Sequence, residues 1–273
     1  MDVVGKIAVV TGAGAGIGAA IAHRMAAAGA RVIIADLHAE SAQAVASAIN
    51  AEFVGAAVAV GADVADRDAI SRVLDLAEHE YGSVDIYFAN AGVTGGAEFV
   101  SDDHIWAQAW DVNVLAHVHA AQLLVPQWVE RGSGYFVATG SAASLLTQIG
   151  SATYSVTKHA ALAFAEWLSV TYGDHGVRVS CICPMGVNTA LLHQGFDSDH
   201  GQGSTATAAV AGAGAVLEPD DVAASVVAAL AEEPFLILPH PEVLGMFQRK
   251  ANDYDRWLRG MRRYQLSLAG TNT

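Results

Sequence analysis

The sequence has few cysteines and few basic residues, and each shortage excludes a class of protein. Two cysteines among 273 residues are too few for a disulfide-stapled secreted scaffold or for a four-cysteine zinc site. Because Cys181 and Cys183 alternate on a predicted strand, both side chains point to one face, and we expect buried, reduced thiols. Lysine and arginine number 14 against 28 acidic residues. The net charge of −14 argues against nucleic acid or an anionic membrane as a partner, since both bind basic patches.

Long apolar runs and metal-binding patterns are also missing. No uninterrupted apolar run reaches the roughly 18 residues of a membrane span, and no signal-peptide pattern precedes the first predicted strand. We therefore expect a cytoplasmic protein that does not insert into membranes. His117 and His119 are two residues apart, which does not place them on one helix face, and no His-Glu-x-x-His motif occurs. We predict no catalytic metal.

Apolar residues, in contrast, are abundant. They make up 53% of the chain, whereas charged residues make up 15%. So little charged surface would leave part of a rich core uncovered, and we expect a homo-oligomer that buries apolar faces between subunits.

Apolar β-branched runs and helical patterns alternate along the chain, which is typical of the α/β class. The pattern predicts a doubly wound, Rossmann-type sheet of seven parallel strands with helices on both faces, in a single domain over 1–273 with its core at about 4–240. The predicted strands lie near 6–11, 31–36, 56–60, 84–89, 134–140, 177–183 and 235–238. The predicted helices lie near 17–29, 40–50, 66–81, 104–130, 152–173 and 219–231.

A C-terminal extension at about 241–265 interleaves apolar residues with charges. The pattern predicts one or two amphipathic helices, packed either over a cleft of the same chain or against a neighbouring subunit. The extension also holds the chain's one concentration of arginines, Arg249, Arg256, Arg259, Arg262 and Arg263. A solvated helix face is the favoured interpretation of these arginines, and a site for an acidic ligand is the alternative.

A glycine cluster follows the first predicted strand. The run from Ile7 to Val10 leads into it, and an apolar helical pattern follows. Strand, glycine turn and helix form the context of a dinucleotide-binding turn, in which glycines let the backbone approach a pyrophosphate and helix N–H groups bind its charge. By itself the spacing is also compatible with a flexible loop. The candidate residues are Gly12, Gly14, Gly16, Ile17 and Gly18.

Two further strand ends extend this interpretation. The second predicted strand ends at Asp36, where an acidic residue can bind the adenosine ribose. A carboxylate there repels a 2′-phosphate, which favours NAD over NADP. Leu37 follows, and no arginine in the glycine turn counters the repulsion. Asp63 and Val64, after the third strand, are predicted to flank the adenine.

Tyr154 and Lys158 stand four residues apart, and Ser141 lies thirteen residues before Tyr154. Residues at this spacing share a helix face, so the Lys158 ammonium can lie near the Tyr154 hydroxyl and lower its pKa from about 10. Ser141 could hold a substrate oxygen beside that phenol. A packed aromatic and a solvated lysine are the alternative interpretation of the pair by itself.

Together these motifs resemble the short-chain dehydrogenase/reductase family over roughly residues 4 to 240. The resemblance rests on motifs in the family's order. They are the glycine turn of 11–18, the motif Asn90-Ala91-Gly92, the helix residue Asn113, the trio Ser141, Tyr154 and Lys158, and the segment with Pro184, Gly186, Val187 and Thr189.

The resemblance implies an NAD-dependent alcohol dehydrogenase or ketoreductase. Tyr154 would be the general base in oxidation and the acid in reduction, while Lys158 would lower its pKa and bind the nicotinamide ribose. Ser141 would orient the substrate oxygen, and Asn113 would hold a water that links Lys158 to solvent. Asn90, Ala91, Gly92, Pro184, Gly186, Val187 and Thr189 would line the cofactor site, Thr189 at the carboxamide. The resemblance also implies a homotetramer formed through the helices near 104 and 152, with a dimer as the alternative.

The predicted substrate-facing segments are 93–100, 142–151 and 187–214, which carry little charge. An apolar cleft favours a lipophilic secondary alcohol or ketone. The Gly- and Ala-rich part, 201–214, is expected to be a mobile lid, with a disordered surface loop as the alternative. The candidate substrate contacts are Ser141, Leu145, Leu146, Ile149, Tyr154, Leu191, Leu192 and Phe196.

Two other functions are compatible with the same fold. A non-redox epimerase or dehydratase would use the same Tyr and Lys, although such relatives generally carry a longer substrate domain. A catalytically silent NAD-binding protein usually has a broken Ser, Tyr or Lys, and all three are present here.

Overall fold

The computed structural model describes residues 1–95, 102–194 and 202–269. Its centre is one all-parallel sheet of seven strands, as the alternation predicts, and the strands lie in the order β3-β2-β1-β4-β5-β6-β7. The strands are β1 (Ile7–Thr11), β2 (Arg31–Asp36), β3 (Ala57–Gly61), β4 (Ile86–Ala89), β5 (Gly134–Thr139), β6 (Val177–Ile182) and β7 (Leu236–Ile237).

Helices cover both faces of the sheet. They are α1 (Gly16–Ala27), α2 (Ala39–Glu52), α3 (Arg67–Glu80), α4 (Asp103–Trp110), α5 (Ala116–Arg131), α6 (Ala142–Leu145), α7 (Ala152–Tyr172), α8 (Ala190–Gln194), α9 (Gln202–Ala213), α10 (Pro219–Ala229), α11 (Glu242–Asn252) and α12 (Tyr254–Ala269). No helix in the described part of the chain is both long and apolar enough to span a bilayer.

The core lies in two layers, one on each face of the sheet. Successive strand residues point to opposite faces, so Val9 and Ile33 join one buried cluster while Val10 and Ile34 join the other. Burial on both faces is why the central strands are continuous apolar runs. Cys181 and Cys183 face the same cluster as buried free thiols, with 3.8 Å between their sulfurs, which confirms the sequence prediction.

The strand order reverses its direction at β1. That strand pairs with β2 on one side and with β4 on the other, so the chain leaves the carboxyl ends of β1 and β4 in opposite directions. A crevice forms at such a switch point, and open α/β sheets bind ligands there. The glycine turn follows β1, and Asn90-Ala91-Gly92 follows β4. Both segments therefore border this crevice.

One predicted helix differs in the structure, because the helix expected over 104–130 is divided by a π-helical turn at Asp111–Leu115. The extension forms two helices, which is one of the two predicted possibilities. The segment 201–214, expected to be a lid or a disordered loop, contains the helix α9, which packs against α12. Its five alanines explain the helix, since alanine has the highest helix propensity.

Candidate active site

The glycine turn after β1 is packed too closely to admit side chains. A Cβ on Gly18 would collide with the Gly12 carbonyl oxygen and would lie 2.6 Å from Asn90 Nδ2. Gly12 has a φ of 61°, a left-handed backbone conformation that favours glycine. Asn90 ties this turn to β4, because its amide nitrogen donates to the Thr11 carbonyl oxygen at 2.9 Å. The turn therefore presents bare backbone N–H groups at the start of α1.

Asp36 lies at the end of β2 and closes the same turn. Its carboxylate accepts hydrogen bonds from Gly14 N at 2.8 Å and from His38 N at 3.0 Å. A Cβ on Gly14 would lie 2.8 Å from Asp36 Cγ. The carboxylate is therefore held against the glycine turn, at one end of the cavity described below.

Three residues predicted to bind the cofactor lie elsewhere. Leu37 is 63% exposed, and Val64 packs in the core. The Asp63 carboxylate accepts from Ala65 N at 2.9 Å. None of the three is among the residues that line the cavity, and their contacts with a cofactor stay predictions.

Ser141 and Tyr154 are positioned by the beginnings of two helices. Ser141 is the N-cap of α6, where its Oγ accepts from Ala143 N at 3.1 Å. Ser151 caps α7 in the same way, accepting from Tyr154 N at 3.3 Å. The two caps bring the Ser141 hydroxyl into hydrogen-bond contact with the Tyr154 side chain.

Lys158 lies one turn after Tyr154 on α7 and is almost fully buried. Its Nζ donates to the Thr139 carbonyl oxygen at 2.8 Å and lies 5.7 Å from the centroid of the Tyr154 ring. Burial lowers the pKa of Lys158 to about 8.

The protein groups raise the pKa of Tyr154. Burial is the largest cause, the hydrogen bond with Ser141 opposes it, and the nearby Cys183 thiol adds to it. The expectation that Lys158 brings the pKa of the phenol below its ordinary value is therefore wrong for the protein groups by themselves. Burial removes water from the phenol, and the Lys158 ammonium donates its hydrogen bond to the Thr139 carbonyl oxygen.

Asn113 lies in the π-helical turn and is fully buried. Its Oδ1 accepts from Val93 N at 2.9 Å, and its Nδ2 donates to Val93 O at 2.8 Å and to Thr157 Oγ1 at 3.0 Å. A Cβ on Gly92 would lie 3.2 Å from Asn113 Oδ1 and 3.3 Å from Lys158 Nζ. Asn113 thus fixes the segment after β4 beside Lys158 without lining the cavity itself.

One cavity of about 770 Å³ joins the glycine turn to the catalytic trio and to the C-terminal helices. Most of the residues predicted from the sequence line it. They are Gly12, Gly14, Gly16, Ile17, Gly18, Asp36, Asn90, Ala91, Gly92, Ser141, Leu146, Ile149, Tyr154, Lys158, Pro184, Gly186, Val187, Thr189, Leu191 and Leu192. Phe196 lies outside the described residues.

Leu145, a candidate substrate contact, does not line the cavity. Its side chain is buried in the core, while the next residue, Leu146, faces the cavity. The short helix α6 sets this orientation. The carbonyl oxygens of both leucines accept hydrogen bonds of 2.8 Å from Lys250 Nζ on α11.

The sequence predicts a cleft contact only for the extension as a whole, and Arg249 is named there as one of five arginines in the alternative site for an acidic ligand. The apolar stripe of α11 and α12 was the available signal, and of its two interpretations the structure supports packing over the chain's own cleft. The extension contributes Met246, Arg249, Trp257, Met261 and Tyr264 to the lining.

The histidines in the described ranges show no metal-site geometry. His117 is buried against Phe136, and burial lowers its pKa to about 3, so its imidazole is neutral. Among the residues that the structure describes, no three His, Cys, Asp or Glu side chains group to hold a metal ion. The absence of a catalytic metal stays a prediction.

The glycine turn lies at the switch point of a parallel sheet, and one cavity joins it to Ser141, Tyr154 and Lys158. These features define a Rossmann-type α/β protein. The family model described as short chain dehydrogenase matches residues 6–199. The chain therefore belongs to the short-chain dehydrogenase family of oxidoreductases.

This chain is similar to known proteins over most of its length. The 1-deoxy-11-beta-hydroxypentalenate dehydrogenase of Streptomyces exfoliatus is 35% identical over 246 residues, which cover 87% of this chain and 84% of the relative. A short chain dehydrogenase/reductase from Burkholderia phymatum, solved in complex with NAD, superposes with a TM-score of 0.84 at 27% identity, covering 93% of this chain and 96% of that one. A 7 alpha-hydroxysteroid dehydrogenase complexed with NADH and 7-oxo glycochenodeoxycholic acid superposes with a TM-score of 0.74 at 28% identity, covering 86% and 93%.

Proposed function

We propose that this protein is an NAD(H)-dependent oxidoreductase that interconverts a lipophilic secondary alcohol and its ketone. The observation that carries the proposal is that Ser141, Tyr154 and Lys158 line the same cavity as the glycine turn. A phenol that transfers a proton and a dinucleotide bound at the glycine turn could therefore reach the same substrate.

The glycine turn and Asp36 fit NAD. Their close packing leaves backbone N–H groups open to a pyrophosphate, as a helix N-terminus requires. The Asp36 carboxylate can accept hydrogen bonds from ribose hydroxyls and repels a 2′-phosphate. Pro184, Gly186, Val187 and Thr189 would line the nicotinamide end, and NAD supplies the hydride acceptor when it binds. The solved relatives with NAD and NADH support this assignment.

The trio divides the proton chemistry between its members. In oxidation, Tyr154 Oη takes the proton of the substrate hydroxyl, and in reduction it returns the proton. Ser141 donates a hydrogen bond to the substrate oxygen and stabilises its developing charge. Because the pKa of Lys158 is about 8, its ammonium is mostly protonated at neutral pH, where its positive charge favours the phenolate.

Asn113 acts as a positioning residue in this proposal. Its side-chain amide is already engaged by Val93 and Thr157, so it holds the segment after β4 beside Lys158. A water that links Lys158 to solvent would then bind to the main chain of the π-helical turn.

The lining of the substrate end favours an apolar substrate. The apolar residues that line this end are Leu146, Ile149, Leu191, Leu192, Met246, Trp257 and Met261. Such a lining excludes water and offers few groups for a polyol. The relatives named for a hydroxypentalenate and a hydroxysteroid support a lipophilic substrate.

We also propose a cytoplasmic homo-oligomer, with a tetramer favoured over a dimer. Val156, Trp167 and Val170 share one face of α7 and are 48%, 54% and 86% exposed. An exposed apolar stripe of this kind fits an interface between copies. Light scattering should give a tetrameric mass, and a monomeric mass would rule the oligomer out.

The function can be tested with purified protein, NAD or NADP, and a panel of alcohols. We expect nicotinamide absorbance to rise with cyclic and steroidal secondary alcohols, faster with NAD than with NADP. Turnover of charged or polyhydroxylated substrates alone would contradict the lipophilic substrate. Preference for NADP would contradict the role of Asp36.

A further inference from the structure

Arg249 is the one cation that the C-terminal extension contributes to the lining of the cavity among the described residues. The other charged residues in that lining are Asp36, beside His38 at the end of β2, and Lys158 in the catalytic trio. The substrate end therefore has one guanidinium and no described carboxylate.

The Arg249 guanidinium forms no ion pair with any side chain in the described ranges. Six other arginines also lack an ion pair in those ranges, and of all the unpaired arginines only Arg249 lines the cavity. Arg24, Arg72, Arg131 and Arg178 each pair with a carboxylate. Arg249 therefore keeps its hydrogen-bond donors free at the exposed rim of the cavity.

The neighbouring residue fixes the helix that carries Arg249. Lys250 is buried, donates to the carbonyl oxygens of Leu145 and Leu146, and lies 5.4 Å and 5.0 Å from the ring centroids of Tyr254 and Trp257. These contacts join α11 both to the catalytic segment after Ser141 and to α12. The backbone of Arg249 is thereby held at a set position relative to the reacting groups.

We propose that the natural substrate is a lipophilic hydroxy acid or keto acid whose carboxylate binds Arg249. The inference rests on the proposed function and names its substrate class. A guanidinium matches a carboxylate in two parallel hydrogen bonds, while Met246, Trp257 and Met261 cover the apolar body. The net charge of −14 repels anions at long range, so a local cation is needed to retain one.

The test uses hydroxy acids of increasing size, up to a bile acid, each paired with its own methyl ester. Wild-type protein should prefer the acid in kcat/KM for the pair that fits. Arg249→Gln should lower kcat/KM for that acid roughly five- to tenfold, through KM, because it removes one partly exposed charge-assisted contact. The ester and kcat should not change, and Arg249→Lys should recover part of the loss.

Arg256→Gln is the matched control, since Arg256 is exposed on α12 and does not line the cavity. It should leave both members of the pair unchanged. Turnover without any preference for an acid, or a preference that survives Arg249→Gln, would overturn this inference alone. Absence of turnover with every acid, ester and neutral alcohol would overturn the proposed function and this inference with it.

Discussion

The nucleotide end of the cavity and its C-terminal end differ in how far apart their parts lie along the chain. The glycine turn spans seven residues, Gly12 to Gly18, and its glycines leave the backbone uncovered by side chains. The C-terminal end joins segments far apart in sequence, as in the hydrogen bond between Lys250 and Leu145, 105 residues away. A short motif can specify the first kind of site, whereas the second exists only once the chain has folded.

If this comparison is correct, substitutions at the two ends should separate cofactor binding from substrate binding. The largest effect is expected where the ends meet. Tyr154→Phe should lower kcat roughly a thousandfold, because the proton donor and acceptor is lost while the ring remains. NAD affinity, measured by calorimetry, should not change.

Tyr172→Phe on the same helix is the control for that variant, because Tyr172 does not line the cavity. It should keep full activity. Substantial turnover by Tyr154→Phe would remove Tyr154 from its proposed role.

Gly18→Ala should break the nucleotide end alone. The new methyl group would overlap the Gly12 carbonyl oxygen and crowd the Asn90 amide, which opens the turn. Overpacking of this kind costs about 1–3 kcal/mol, so NAD should bind roughly tenfold to a hundredfold more weakly. Gly173→Ala is the matched control, since nothing lies within 4 Å of its Cβ position. Equal NAD affinity in the two variants would show that the turn does not bind the cofactor.

Asp36→Asn should change which cofactor the nucleotide end accepts. The amide oxygen can still accept from Gly14 N, but the charge that repels a 2′-phosphate is gone. The ratio of kcat/KM for NAD to that for NADP should fall about tenfold, which corresponds to about 1.4 kcal/mol. Asp63→Asn, at a strand end outside the cavity, should leave the ratio unchanged. The opposite result for the two aspartates would place the adenosine ribose at Asp63.

Lys250→Met should weaken the C-terminal end alone. It removes the ammonium that binds the Leu145 and Leu146 carbonyl oxygens, a loss of about 1–3 kcal/mol. Tm should fall by roughly 2–10 °C, and KM for the alcohol should rise several-fold as α11 loosens. NAD affinity should stay unchanged. Arg259→Met is the control, because Arg259 is exposed on α12. If Lys250→Met weakened NAD binding as much as it raised KM for the alcohol, the separation of the two ends would be refuted.

The sequence predicts the nucleotide end well because its signals are local. Seven parallel strands and the glycine turn after the first of them follow from apolar runs and glycine spacing. Asp63 and Val64 follow a strand as Asp36 does, but they do not line the cavity, and their position beside the adenine stays a prediction.

The C-terminal end could be predicted only in outline. Apolar spacing indicated helices in the extension, but it could not say that Arg249 faces the cavity while Arg256 does not. Both Leu145 and Leu146 were candidate substrate contacts, and apolar spacing could not tell that only Leu146 lines the cavity, because the capped helix α6 sets which side chain points inward. The mixed composition of 201–214 likewise did not indicate the helix α9, which its alanines and its packing against α12 favour.

The measurement that tests the account most directly follows hydrogen from substrate to cofactor. A lipophilic secondary alcohol, deuterated at the carbinol carbon, is incubated with the protein and NAD, and the nicotinamide is analysed by mass spectrometry. The account predicts that deuterium appears on the reduced nicotinamide in step with the ketone formed. Deuterium that stays in an epimerised or dehydrated product, with no labelled NADH, would contradict it.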